Sequence, residues 1–521
     1  MVTKIILFPF ISVLILFILS FTIIQENDRL NKKYPIVNIT GDEPPTNSEG
    51  IIINTNSLNN EPKFTYSDSI VSITDVFTGE ASLYDLQSNA VPQHIWQNPS
   101  IPNNIHLVFM WNQTPGIPAA NRRTKYVVSK DRGATWTSLG EVPSGVSSGF
   151  PTCYGFNDGR IVIANHSAPS GISRCFLFIE IAPGTGYFIT CDPGSSPTLQ
   201  KLWPRLVTTN NNKIVVGVSL NTGDDTIFYT NTLTNISSCT FSGWVGHTEV
   251  TNAEQYAFDR AANGTIGLAF IRNDFIPANQ GDVMFISSTN EGLTWSAPTV
   301  VFDATPGSEF FGALRGIDLV YQVNIPKVVF DLIKMDDQGN YFPGTCSKIM
   351  FWSPDINGGV AFPIADSTNT PCNPAGGIND VFSPISKASI GRSADNNVLF
   401  VTYNVARPEI FDSINYYDVY LAWSGNQGNS WFGRKKLTNL SGLIRDCRYA
   451  NLSPISDNDA NFYYANMEYQ NDSIPGSHVN GANPSLAKQR FIRVKLLRSI
   501  VGIQNTSGEV PGNFALYQNY P

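Results

Sequence analysis

Apolar residues recur along this chain in short runs of six to eight, each set off by Asn, Asp, Gly or Pro. One type of run occurs seven times: NIHLVFMW from Asn104, RIVIAN from Arg160, KIVVGV from Lys213, TIGLAF from Thr265, KVVFDL from Lys327, NVLFVTY from Asn397 and NFYYANM from Asn461. The spacings between starts are 56, 53, 52, 62, 70 and 64 residues. Turn-forming residues precede each run, such as Asn157-Asp158-Gly159 and Asn263-Gly264. Asn, Asp and Gly accept the left-handed backbone of tight hairpins. A second apolar run follows each after a loop: TKYVVS, CFLFIEI, TIFYTN, DVMFISS, SKIMFWS, DVYLAWS and RFIRVKL. Less regular stretches such as GFPTCYGF and PRLVTT precede the turns and supply an innermost strand. With an outer strand added, the unit has four strands in 50–70 residues, the size of a propeller blade. The pattern predicts an all-β chain: a β-propeller of about seven four-stranded blades.

Composition agrees. Of 521 residues only 15% are charged, with 41 Gly and 33 Pro, a balance of strands and turns. Net charge is −8, and basic residues form only short runs such as Arg434-Lys435-Lys436, so no nucleic-acid partner is expected. The N-terminus places Lys4 before an apolar run from Ile5 to Ile24. Residues 1–24 therefore read as an export signal, with an uncleaved anchor as the rival reading and the sole route to a membrane. Residues 25–63 read as a linker, 64–498 as the propeller, and 499–521 as a tail. Within 64–92, either FTYSDSIVSITDVF or EASLYDL is expected to complete the last blade and close the ring.

Seven cysteines show no zinc spacing. Cys175 and Cys191 flank a hairpin symmetrically about Pro183-Gly184, which makes them one candidate disulfide; Cys346 and Cys372 are a second. The five histidines, His94, His106, His166, His247 and His478, lack metal-site spacing. No metal and no cofactor is implied.

A motif recurs after the third strand of three units. Its copies run from Ser129 through Asp131 and Gly133 to Trp136, from Ser288 through Asn290 and Gly292 to Trp295, and from Ser424 through Asn426 and Gly428 to Trp431. A weaker echo holds Ser353, Asp355 and Gly358. The Asp or Asn side chain can accept backbone hydrogen bonds across the turn, Gly supplies positive φ, and Trp buries its ring. The Trp separations of 159 and 136 residues fit three blades and two.

This motif resembles the Asp box, or BNR repeat, of sialidase-like propellers, and through the repeat the resemblance spans about residues 65–497. It implies a turn-stabilising role for these residues, on the face opposite a sialidase active site, and, since sialidases have six blades, six as the alternative blade count. The tail from Val510 to Pro521, VPGNFALYQNYP, resembles the opening of the C-terminal sorting domain of type IX secretion cargo. That resemblance implies a Bacteroidetes-like bacterium, export machinery as a partner, and a secreted or cell-surface protein.

The loops between second and third strands surround one channel mouth and carry Trp111, Arg122, Arg123, His166, Asp224, Asp225, Arg272, Asp274, Arg407, Glu409 and His478. Binding residues concentrate on such loops. The sialidase resemblance implies an Arg-Ile-Pro motif near the first blade, but Ile95 to Pro102 contains no Arg. Substitutes stand near the starts of later inner strands: Arg205, Glu254, Arg315, Arg445, Arg448 and Tyr449. As a catalytic set, Arg205, Arg315 and Arg448 would bind a carboxylate, and Glu254 with Tyr449 would form the nucleophile pair. The competing reading is polar residues that satisfy one another. The preferred expectation is a propeller that binds a glycan or surface protein at this mouth; the alternative is a divergent exo-sialidase or other glycoside hydrolase.

Overall fold

The computed structural model describes residues 69–76, 81–112, 121–169, 171–194, 200–220, 227–251, 253–272, 280–304, 310–336, 339–342, 344–373, 382–440, 442–480 and 482–501. Residues 1–68 and the tail motif at 510–521 lie outside them. Seven antiparallel sheets follow one another along the chain. They span 95–141, 148–191, 201–250, 256–302, 311–365, 385–436 and 446–497, and are numbered here as blades 1 to 7. The chain is a seven-bladed β-propeller, so the alternative count of six does not hold. Each of the seven expected runs forms the second strand of one blade, from Ile105–Trp111 in blade 1 to Phe462–Asp472 in blade 7.

Blade 7 takes its outer strand from the other end of the described chain. Ser69–Asp75 pairs antiparallel with Lys488–Leu497, so the first and last strands lie side by side. This closes the ring and leaves no unpaired junction between its two ends. Of the two closing candidates, FTYSDSIVSITDVF supplies the strand; EASLYDL does something else, described below.

Successive blades bury apolar faces against each other. Phe228 of blade 3 meets Phe270 and Tyr256 of blade 4, with ring centroids 5.0 and 5.9 Å apart. Further apolar clusters join blades 4 and 5, 5 and 6, and 6 and 7.

Two disulfides lie among the described residues, Cys191–Cys239 and Cys346–Cys372. The second matches expectation and the first corrects it. The hairpin turns about Gly184, not Pro183, so Cys191 pairs with Leu177 and Cys175 lies two residues further along. Cys175 is a buried free thiol, and Cys191 instead joins blade 2 to the hairpin of blade 3.

The end of the channel at which the inner strands begin is here called the top. At that end the inner strands bulge. Phe150, Trp203, Lys387 and Tyr449 have φ of 50, 52, 54 and 56°, and the pairing register slips at each. In blade 5 the slip falls between Ala313 and Ile317, around Arg315. A bulge adds a residue to one strand and re-aims its side chain. Left-handed backbone at bulky residues persists where the surroundings over-determine it.

Candidate functional site

What over-determines the mouth is a strap. After the closing strand, residues 82–94 cross the top of the ring and enter the channel before blade 1 begins. Every residue from Ser82 to Pro92 except Leu83 is buried. The strap has no ladder partner along most of its length, so side chains must satisfy its backbone. Ser82 exchanges backbone hydrogen bonds with Ala487 of blade 7, both at 2.8 Å. Gln87 bonds the backbone of Met110 in blade 1 through both ends of its carboxamide. Gln93 accepts from Thr152 of blade 2 at 2.7 Å. The His94 N–H donates to Asn451 of blade 7 at 3.1 Å.

The charged residues of the mouth hold the middle of this strap. Arg205 donates through Nη2 to Ser88 Oγ and to the Val91 carbonyl, at 3.2 and 2.8 Å. Glu254 accepts the Asn89 N–H at 2.7 Å and pairs with Arg205 at 2.9 Å. The Lys387 ammonium donates to the Ser88 and Asn89 carbonyls, each at 3.3 Å. It also lies 5.2 Å from the Tyr449 ring centroid and 4.4 Å from that of Phe382.

The sequence-derived catalytic set therefore divides. Arg205, Glu254, Arg315, Arg448 and Tyr449 are 2, 1, 6, 2 and 1% exposed. Arg205 and Glu254 meet directly and grip the strap. Tyr449 joins the aromatic cluster beneath it, with Phe382 at 5.1 Å. Arg448, its chain neighbour, pairs with Asp446 of its own strand at 2.5 Å and reaches blade 6, where it donates to the Asn415 carbonyl at 3.0 Å and lies over the Tyr417 ring. Arg315 is buried in the bulge of blade 5, where the next residue, Gly316, donates its N–H to Asp331. Arg445 is exposed on the linker into blade 7.

The loop residues divide too. Arg122 is buried, donates to the Tyr84 hydroxyl of the strap at 3.0 Å, and lies 2.6 Å from His166 Nε2. Burial, with the nearby guanidinium, lowers the pKa of His166 well below its ordinary value. Arg407 pairs with Glu409 and Asp418. Arg272 pairs with Asp282 at 3.4 Å. The backbone N–H of His478 donates to strap residue Asp85 at 2.5 Å. Burial raises the Asp85 carboxyl to about 6, against the hydrogen bonds it accepts. Asp224, Asp225 and Asp274 lie outside the described residues. Sequence reasoning missed Lys387 and the strap itself; the one available signal was a second strand-like segment, EASLYDL, left over once the ring had its closing strand.

The three Ser-x-Asp/Asn-x-Gly-x-Thr/Ser-Trp turns lie at the opposite end of the blades. In each, the Ser hydroxyl accepts the Gly N–H: Ser129 from Gly133 at 2.7 Å, Ser288 from Gly292 at 2.9 Å and Ser424 from Gly428 at 2.9 Å. Asp131, Asn290 and Asn426 each accept the N–H four residues on, at 2.8 to 2.9 Å. Partial burial opposes it, but the hydrogen bonds from Thr135 and Ser129 hold the Asp131 carboxyl below its ordinary range. Gly133 has φ of 84°, and a Cβ there would lie 2.0 Å from the Phe491 ring of blade 7. The Trp136 indole donates to Thr74 of the closing strand at 3.0 Å, and Trp295 donates to Thr230. Trp431 instead donates to the Gly428 carbonyl within its own turn. Among the described residues no three His, Cys, Asp or Glu side chains gather as a metal site would need. No helix there is long and apolar enough to cross a membrane.

No protein-family model matches the chain, and no curated protein sequence matches it. Solved structures do match. A protein of unknown function from Dyadobacter fermentans is 14% identical, with 67% of this chain and 97% of that chain covered at a TM-score of 0.39. The polysaccharide lyase Uly1 is 10% identical, covering 78% and 89%, at 0.44. The endosialidase of phage phi92 is 10% identical, covering 86% and 71%, at 0.41. These are likenesses of fold, and no residue role is carried over from them.

Proposed function

We propose that this protein is a secreted or cell-surface propeller that binds a glycan or a surface protein through its top face, without hydrolysing it. The observation that carries the reading is the grip on the strap. The carboxylate and guanidinium best suited to chemistry, Glu254 and Arg205, bind each other and the chain's own backbone. A catalytic group must reach the reacting atoms of its substrate. With the mouth filled, the exposed top-face loops remain for recognition, as is usual for loops on a rigid scaffold.

On this reading the three turns are Asp-box hairpins that brace neighbouring blades. The N-terminal apolar segment directs export, or anchors the chain if uncleaved, and the C-terminal motif engages sorting machinery of the type IX kind. The test pairs a glycan array with hydrolysis of a fluorogenic sialic-acid glycoside and a panel of other glycosides. Saturable glycan binding with no turnover is expected. Turnover abolished by both Arg315→Ala and Tyr449→Ala would replace this reading with a divergent sialidase.

A further inference from the structure

Blade 3 holds a lysine in unusual company. Lys201 opens the inner strand and is 8% exposed. Its ammonium lies 5.2 Å from the ring centroid of Tyr229, on the third strand, and 5.2 Å from that of Trp244. Both rings are part-exposed. The Trp244 indole donates to the Gly194 carbonyl at 2.8 Å, which fixes its ring against the linker from blade 2. Gly246 faces Tyr229 across the sheet, and a Cβ there would lie 3.1 Å from that ring.

Three other buried cations of the top face have oxygen partners. Arg205 has Glu254, Arg448 has Asp446, and Lys387 has two carbonyls. Among the described residues no carboxylate pairs with Lys201. Burial lowers its pKa. A desolvated ammonium over aromatic rings is partly stabilised by their quadrupoles. No anion among the described residues completes its charge.

We propose that Lys201, Tyr229 and Trp244 form a subsite for an acidic sugar. The ammonium takes the sugar's carboxylate as a charge-assisted hydrogen-bond donor, and the exposed ring surface takes its apolar C–H face. This rests on the glycan-binding reading above and names the sugar class.

The test is calorimetric titration of the purified chain with three acidic probes: trigalacturonate, a hyaluronan tetrasaccharide and sialyllactose. Neutral maltotriose and acetate serve as comparisons. At least one acidic probe binds the wild type; Lys201→Met weakens it by about tenfold or more at unchanged Tm, and Lys201→Arg retains it. Trp244→Ala weakens it as well. The bound acidic probe also protects Lys201 from acylation by an amine reagent. Equal affinity of Lys201→Met and wild type overturns the subsite, as does acetate protecting Lys201 as well as the sugars do. A wild type that binds only neutral glycans loses the subsite and keeps the glycan-binding reading; one that binds no glycan loses both, and leaves a surface protein as the ligand.

Discussion

The seam between blades 3 and 4 and the seam between blades 7 and 1 do the same job with different chemistry. At the first, Phe228, Tyr256, Phe258 and Phe270 interdigitate, and Gly217 makes room for the Phe258 ring. At the second, the facing row of blade 7 carries Asn466, Glu468 and Gln470. Arg493 meets Asp457 through two bonds of 2.7 Å. Asp457 also accepts from Gln97 of blade 1 at 3.0 Å, and Gln97 accepts from Asn466 at 2.7 Å. Gln470 donates to the Asp85 carbonyl of the strap at 2.8 Å. An apolar cluster that includes Phe491 and Ile105 lies alongside. Blades 3 and 4 are joined by a short linker, so their register is nearly given by the chain. Gln97 and Asp457 are 360 residues apart. Nothing local aligns them, and directional, buried hydrogen bonds specify one alignment where apolar contact would accept several.

The largest expected effect comes from breaking a buried ion pair. Asp457→Ala strands Arg493, and Glu254→Ala strands Arg205; each should cost about 3–5 kcal/mol in chemical denaturation. Asp457→Ala should also release the closing strand, read as faster proteolysis near residues 69–76. Loss of the Cys191–Cys239 bond, by Cys239→Ser, comes next at about 2–4 kcal/mol, without faster cleavage of the closing strand. At the apolar seam, Phe228→Leu should cost less than about 1.5 kcal/mol and leave closure intact. A cost there equal to that of Asp457→Ala would erase the distinction between the seams.

A smaller effect is the pH response of Asp318. Burial raises its carboxyl to about 7, against hydrogen bonds from Ile390, Ser389 and Leu319. Below about pH 4 the folded and unfolded states both hold the proton. Between about 4 and 7 the folded state keeps a proton that the unfolded state has lost, so stability falls as pH rises, and the loss is complete above about 7. Asp318→Asn should flatten that slope in denaturation curves taken from pH 4 to 8.

The repeat was legible because each second and third strand is a short apolar run whose turn residues are local. KIVVGV and TIGLAF announce themselves without their neighbours. The strap was not legible, because nothing in SLYDLQSNAV is periodic and its partners come from blades 1, 2, 3, 6 and 7 and the linker into blade 4. The same distance hid the roles of Arg205 and Glu254. Sequence placed both at the channel mouth as a chemical inventory, whereas contact with Ser88, Asn89 and Val91 makes them holders of the chain's own backbone. The Cys175–Cys191 expectation failed for a local reason, a hairpin centred one residue later than its symmetry suggested.

The central claim is that the charged residues of the mouth clamp the strap in place. Native-state hydrogen exchange at the Asn89 amide, which donates to Glu254, tests it most directly. The account predicts protection matching the inner-strand amides of blades 3 and 4 in the wild type, with selective loss of protection across residues 86–91 in Glu254→Gln. Rapid exchange of Asn89 in the wild type, while those inner strands stay protected, would contradict it and leave the channel mouth open to a substrate.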